Sequence, residues 1–262
     1  MSTQIRRVTV LGAGVLGSQI AFQTAFKGFD VVVYDIDDKA LDKARERFDQ
    51  LVATYTREVK GAADGEAAAA RHRLALTADL GQAVADADLV IEAVPEILEL
   101  KQEIYRKLAS LAPAKTIFVT NSSTLLPSDL EDWTGRPDRF LALHFATRIW
   151  QFNTAEVIGM TDTDPKVYDD VVEFAKAIGM VPIELHKEKA GYVLNSLLVP
   201  FLAAAAELAG AGTPSPPTST RPGGSRPVPP SARSRATTSS GSRRRTTSWP
   251  TATPRRRNLP PG

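Results

Sequence analysis

The sequence predicts an α/β protein built on a doubly wound, mostly parallel sheet with a helical hairpin insertion. A long apolar helix and a tail of different composition follow. Three observations carry this reading. Short apolar runs alternate with longer stretches of helical period, a Gly-rich turn directly follows the first run, and the composition changes abruptly near residue 212.

Taken in order, Arg7–Leu11, Val31–Tyr34, Leu74–Leu76, Leu89–Ala93, Ile117–Thr120, Phe140–His144 and Met180–Ile183 read as buried strands. They are continuously apolar rather than alternating, as strands are when helices cover both faces of a sheet. Val15–Lys27, Lys39–Lys60, Ile97–Leu111 and Pro165–Ile178 read as helices. Lys39–Arg73 is long, charged and Ala-rich, more than a minimal crossover needs, and predicts a helical pair projecting from the sheet along a groove. Val193–Ala209 predicts a helix apolar on several sides and kinked at Pro200, to be buried against another domain or subunit.

Composition bounds the function. The chain has 262 residues and a formal net charge of +2, but its charge is unevenly placed. Residues 213–262 hold ten Arg, eleven of the eighteen Pro and no Asp, Glu or Lys, so the body before them is acidic. An acidic body gives no reason to expect nucleic-acid binding, and Arg-Pro-Ser-Thr tracts predict disorder. The absence of cysteine excludes disulfides, thiolate metal sites and a cysteine nucleophile, and no metal site is expected. Neither a secretory leader nor an apolar run of bilayer length is apparent, so a cytoplasmic protein without membrane contact is expected.

Gly12-Ala13-Gly14-Val15-Leu16-Gly17 is a GxGxxG turn between the first strand and the first helix. Its glycines permit a tight turn, close backbone approach to a pyrophosphate and close helix–sheet packing, and the helix N-terminus offers free N–H groups to phosphate. The second strand ends at Asp35, eighteen residues past Gly17, where a carboxylate would accept both ribose hydroxyls of NAD and repel the 2′-phosphate of NADP. Together these form the fingerprint of a Rossmann-type NAD site.

Polar residues end three further apolar runs. Ile117–Thr120 leads into Asn121-Ser122-Ser123-Thr124, Phe140–Leu143 delivers His144, and Glu156 interrupts the apolar run Thr154–Ile158. The C-terminal strand edge is where open α/β sheets bind ligands. Oxidation of an alcohol by NAD needs a base for the hydroxyl proton, which a His oriented by a carboxylate supplies near neutral pH. A strand-end His is equally read as a satisfied structural side chain, and spacing alone does not choose between the two.

These motifs resemble the 3-hydroxyacyl-CoA dehydrogenase family, including its 3-hydroxybutyryl-CoA members, from Val8 to about Ala209. GAGVLG resembles the family's GAGTMG, NSSTL its NTSSL, LHF its HFF, and GYVLNSLLVP its GFxVNRLLxP. The resemblance implies His144 as catalytic base and Glu156 as its partner, with Ser123 and Asn195 contacting substrate oxygens. It implies Gly12, Gly14, Val15, Leu16, Gly17, Asp35, Glu96 and Lys101 as NAD contacts, an acyl-CoA substrate, and a place in fatty-acid β-oxidation. The family's HFFNP reads His144-Phe145-Ala146-Thr147-Arg148 here, followed by Ile149-Trp150-Gln151-Phe152 in place of a Pro-rich segment. That loop borders the family's acyl site, so the departure bears on chain length and carrier. Dehydrogenation of another small hydroxy acid, and a catalytically impaired NAD-binding remnant, are the alternatives.

The resemblance also bears on organisation: an NAD-binding domain over 1–187, the start of a helical substrate and dimerisation domain over 188–212, and a tail from 213. The family is homodimeric through that helical domain, which the tail replaces. Back-translated in GC-rich codons and read two nucleotides later, Pro222–Ala232 gives WRIATGAPVG and Ser239–Trp249 gives VGLATTYNVL. Both resemble family text in order and at family spacing, so the tail reads as a shifted reading frame.

Overall fold

The computed structural model describes residues 4–210. The tail, with the disorder and reading-frame expectations that concern it, lies outside the described residues. Two compact units divide between Ala203 and Ala204; the first holds the sheet, and the described part of the second is the end of a helix.

Eight strands form one sheet: β1 (Arg7–Leu11), β2 (Asp30–Tyr34), β3 (Leu74–Thr77), β4 (Leu89–Glu92), β5 (Ile117–Thr120), β6 (Phe140–Phe145), β7 (Thr154–Ile158) and β8 (Val181–Leu185). Their order is β3-β2-β1-β4-β5-β6-β7-β8. The chain order reverses between β1 and β4, and the crevice at their C-terminal ends is where doubly wound sheets take ligands. Every neighbouring pair is parallel except β6 and β7, which run antiparallel with His144 directly opposite Glu156. The expected doubly wound, mostly parallel sheet is present, and Thr154–Ile158 adds one strand to the seven that the buried runs predict.

Helices α1 (Val15–Phe26), α2 (Asp38–Glu58), α3 (Glu66–His72), α4 (Leu80–Val84), α5 (Leu98–Leu111), α6 (Ser128–Glu131) and α7 (Pro165–Ala177) link the strands, and α8 (Tyr192–Gly210) follows the last. The pair α2–α3 is the hairpin expected of Lys39–Arg73. Helix α2 starts where the Asp37 carboxylate accepts the Ala40 amide at 2.7 Å, an N-cap worth about 1 kcal/mol. It buries Leu41, Ala44, Phe48, Leu51 and Tyr55, a three-four spacing that puts all five on one stripe. Helix α7 begins at the Asp164 cap with Pro165 in its first turn, where the missing N–H costs nothing.

Tyr55 fastens α2 to α1. Its ring meets Phe22 and Phe26 edge-on at 4.7 and 5.2 Å between centroids. Its hydroxyl donates to Gln23 Oε1 at 2.6 Å, and the same Gln23 amide donates to the Ile178 carbonyl at 2.6 Å. Burial pushes the phenol's pKa up, so it stays a neutral donor.

Helix α8 departs from the burial that its composition predicts. Leu197, Val199, Phe201 and Leu202 are exposed, Leu197 to 68%. Only the first turn packs, with Tyr192 buried beside Ala142 and Ile158. A helix is covered only where another element lies against it, and Leu197, Leu198, Val199, Phe201 and Leu202 all remain exposed among the described residues. No described helix is long and apolar enough to cross a membrane.

Tyr55→Phe should leave the Gln23 carbonyl buried without its donor. The expected loss is about 1–3 kcal/mol, read as a lower urea midpoint at an unchanged slope.

Candidate active site

The turn after β1 is set by backbone constraints. Gly12 has φ +90°, and a Cβ there would come 2.6 Å from the Ala93 carbonyl oxygen. A Cβ on Gly17 would strike the Gly12 carbonyl, so the first and third glycines are required by the turn and by the approach of α1 to the sheet. Gly14 has open space where its Cβ would be. Helix α1 begins there without a side-chain cap or an acidic residue in its first turn, with Val15 exposed. Gly12, Gly14, Tyr34, Asp35, Val94 and Ile104 line a cleft of about 630 Å³, a size suited to a nucleotide. At its edge Asp35 accepts the Ala13 amide at 2.8 Å and the Ile36 amide at 2.7 Å, tying the end of β2 to the glycine turn. An uncapped helix N-terminus beside an open cleft with a carboxylate on its rim fits a dinucleotide.

At the next crevice the polar strand ends meet. His144 Nδ1 is 2.7 Å from Glu156 Oε2, and His144 Nε2 is 3.0 Å from Ser123 Oγ. His144 is 4% exposed and Glu156 1%. Burial would raise the Glu156 pKa, but the hydrogen bond to His144, the amides of Leu194 and Val193, and the charge of His144 outweigh it and hold the carboxyl below its ordinary value. With Nδ1 donating to the charged Glu156, the neutral form of His144 presents its Nε2 lone pair to Ser123 and the crevice. The helix α8 amides come to Glu156 Oε1 at 2.8 and 2.9 Å, so both oxygens are satisfied. Asn121, legible in the sequence only as part of a polar cluster, accepts the Phe145 amide through Oδ1 at 2.9 Å and links the end of β5 to the residue after His144.

Glu96 joins the two crevices. Its Oε1 accepts the Ser122 hydroxyl at 2.5 Å and the Ser123 amide, the Thr124 amide and the Thr124 hydroxyl at 2.9 Å each. Burial opposes its charge, but the Ser122 hydroxyl, the Thr124 amide, the Lys101 charge and the Thr124 hydroxyl hold its pKa at about 2. Lys101 is 1% exposed, with Nζ 2.5 Å from Glu92 Oε1 and 3.3 Å from Glu96 Oε2. Glu92 is also fully buried and further accepts the Thr120 hydroxyl at 2.8 Å and the Val94 amide at 3.0 Å. Such a buried pair is tolerated because its remaining lone pairs are met. The ammonium therefore supports Glu96 from behind the cleft wall. Sequence reasoning missed Glu92: a carboxylate at the end of an apolar strand, nine residues before a Lys on the buried stripe of α5, was the available signal.

The structure thus brings Ser123, His144 and Glu156 together, and places Glu96 and Lys101 beside them. Asn195 lies in the first turn of α8, with its amide N–H on the Gly191 carbonyl at 3.0 Å. Its side chain makes no hydrogen bond among the described residues. The loop after His144 is clamped outward. The Arg148 amide donates to Gln19 Oε1 at 2.7 Å, and Trp150 Nε1 and Gln151 Nε2 donate to Glu58 Oε2 at 2.9 and 2.8 Å.

The depressed pKa of Glu96 makes a pH prediction. Its stabilisation is complete above the ordinary value of 4.5 and is lost as pH falls toward about 2. Urea midpoints of the parent should fall more steeply across that window than those of Glu96→Gln. Parallel pH curves for the two would contradict the assignment.

Comparison with known proteins agrees with this geometry. Residues 7–189 match the model of the 3-hydroxyacyl-CoA dehydrogenase NAD-binding domain. A mitochondrial hydroxyacyl-coenzyme A dehydrogenase of Rattus norvegicus is 33% identical over 208 residues, covering 78% of this chain and 66% of that protein. The chain therefore spans about two thirds of the length of that relative. A solved diketoreductase, whose structure is described with its dual catalysis of dicarbonyl compounds, is 67% identical at a TM-score of 0.79, over 83% of this chain and 77% of that one. The (S)-3-hydroxybutyryl-CoA dehydrogenase of Ralstonia eutropha is 28% identical at a TM-score of 0.74, over 82% and 75%. Fingerprint, strand order and the matched span agree: the chain belongs to the 3-hydroxyacyl-CoA dehydrogenase family through its NAD-binding domain.

Proposed function

We propose that this chain interconverts a 3-hydroxyacyl-CoA and its 3-oxo form with NAD, using His144 as general base and acid. The observation that carries the reading is the chain Glu156–His144–Ser123, closed at 2.7 and 3.0 Å, at the same sheet edge as the nucleotide cleft. NAD, when bound, supplies the hydride acceptor. His144 Nε2 takes the proton of the substrate hydroxyl in oxidation and returns it to the oxygen in reduction. Glu156 fixes the tautomer and balances the charge that the imidazole gains. Ser123 hydrogen-bonds the same oxygen, and Asn195, with its side-chain amide uncommitted among the described residues, serves the substrate from α8. Gly12, Gly14, Val15, Leu16 and Gly17 receive the pyrophosphate, and Asp35 the ribose. The exposed apolar face of α8 is the surface on which a helical substrate and dimerisation region would seat.

A second substrate reading is favoured by two observations. The loop after His144 departs from the family pattern, and the diketoreductase is twice as similar as the rat dehydrogenase. A 3-oxoacyl thioester is itself a 1,3-dicarbonyl compound, so the same His–Glu chemistry serves a dicarbonyl compound without CoA. NADH oxidation measured with acetoacetyl-CoA and with a CoA-free 1,3-dicarbonyl compound separates them. Turnover with neither would overturn the proposed activity.

His144→Gln should lower turnover by about a hundredfold or more, and Glu156→Gln by less, since it removes orientation and charge support rather than the base. Unchanged turnover in the His144 variant would remove it as the base. Asp35→Asn should weaken NAD about tenfold or more, the scale of a charge-assisted hydrogen bond, and narrow the preference over NADP. Calorimetry showing equal affinity for both cofactors in the parent chain would contradict the role of Asp35.

A further inference from the structure

Tyr192 is unusual in three ways. It has φ +48°, immediately after Gly191 at +78°, and a bulky residue in the left-handed region is a genuine outlier. It is 1% exposed, and its buried hydroxyl has no hydrogen-bond partner among the described residues. Its ring lies against the imidazole of His144, 5.0 Å between centroids at 53°. Strained backbone and an orphaned polar atom both cost stability, and such costs gather where a site needs a particular geometry.

The geometry of the corner shows what it accomplishes. Two successive left-handed residues reverse the chain after β8, so that the next two amides, Val193 and Leu194, converge on Glu156 Oε1. The Tyr192 side chain fills the space beside His144, packed with Ala142, Ile158 and Leu185. Tyr192 therefore bears on one member of the pair directly, through its ring on His144, and on the other through the chain turn that presents the amides of the next two residues to the carboxylate. The hydroxyl meets no acceptor among the described residues, and burial and the carboxylates Glu96, Glu156, Glu188 and Glu92 keep it protonated by pushing its pKa up.

We propose that Tyr192 is a positioning residue that holds His144 against Glu156 through its ring while its left-handed backbone seats the first turn of α8 on the carboxylate. The proposal rests on the His144–Glu156 pair being the working base, and it makes the first turn of α8 part of the active site rather than only a connection out of the sheet.

The test reads the hydrogen bond itself, so it does not depend on turnover. In the full chain, proton NMR should show an exchange-protected imidazole resonance far downfield of the amides, absent in His144→Gln. Tyr192→Phe, which removes only the unpartnered hydroxyl, should keep it. Tyr192→Gly, which removes the ring and eases the backbone, should lose or broaden it while NADH affinity by fluorescence stays within about twofold of the parent. Where turnover is measured, Tyr192→Gly should lower kcat about tenfold at an unchanged KM for NADH. A sharp parental resonance in Tyr192→Gly would overturn the proposal. So would the absence of any such resonance in the parent, or loss of NADH binding together with the resonance, which would make the residue a support of the fold. The expected NMR pattern in a chain that reduces neither dicarbonyl would sink the proposed activity and leave the positioning role standing.

Discussion

A carboxylate in the middle of a buried strand needs partners, and the antiparallel pairing of β6 with β7 is what supplies them. In that register Glu156 stands across from His144, and directly opposed side chains on adjacent strands lie close enough to bond. The imidazole satisfies one oxygen and the first turn of α8 the other. Slipping the register by one residue would turn both side chains to opposite faces and leave a buried charge alone, which costs several kcal/mol. The orientation of His144, the satisfaction of Glu156 and the attachment of α8 all follow from this pairing.

A second buried arrangement ties the nucleotide-cleft side of the sheet to the loop that carries Ser123. Glu92 at the end of β4 holds Lys101 and the Thr120 hydroxyl, and Lys101 in turn faces Glu96. Glu96 collects the hydroxyl and amide donors of Ser122–Thr124. The loop that carries Ser123 is thereby fixed from the strand next to the glycine turn. Removing one charge from such a network leaves others uncompensated, so its effects are expected to be non-additive.

The loop after His144 and helix α8 are where this chain departs from a plain doubly wound sheet domain. The loop is directed to α1 and α2, where Gln19 and Glu58 receive it. Arg148 accepts φ +59° to make that turn. Helix α8 commits its first turn to Glu156 of the His144–Glu156 pair and leaves Leu197, Val199 and Phe201 exposed, a face of the kind that takes a partner.

The elements legible in the amino-acid sequence are those that local physics specifies. GxGxxG dictates its turn because only glycine fits at Gly12 and Gly17; the apolar runs give seven of the strands; the three-four spacing of Leu41 to Tyr55 gives α2. Ser123, His144 and Glu156 could be named from their places at strand ends and from family resemblance, but spacing alone left His144 open between a structural and a chemical role. Tertiary structure decided what depends on distance through space. It turned Thr154–Ile158 antiparallel to β6, paired Lys101 with Glu92, gathered four donors on Glu96, and set Tyr192 against His144. No local pattern settles these contacts, because a buried charge or a strained residue is tolerated only when partners from elsewhere in the chain arrive to compensate it.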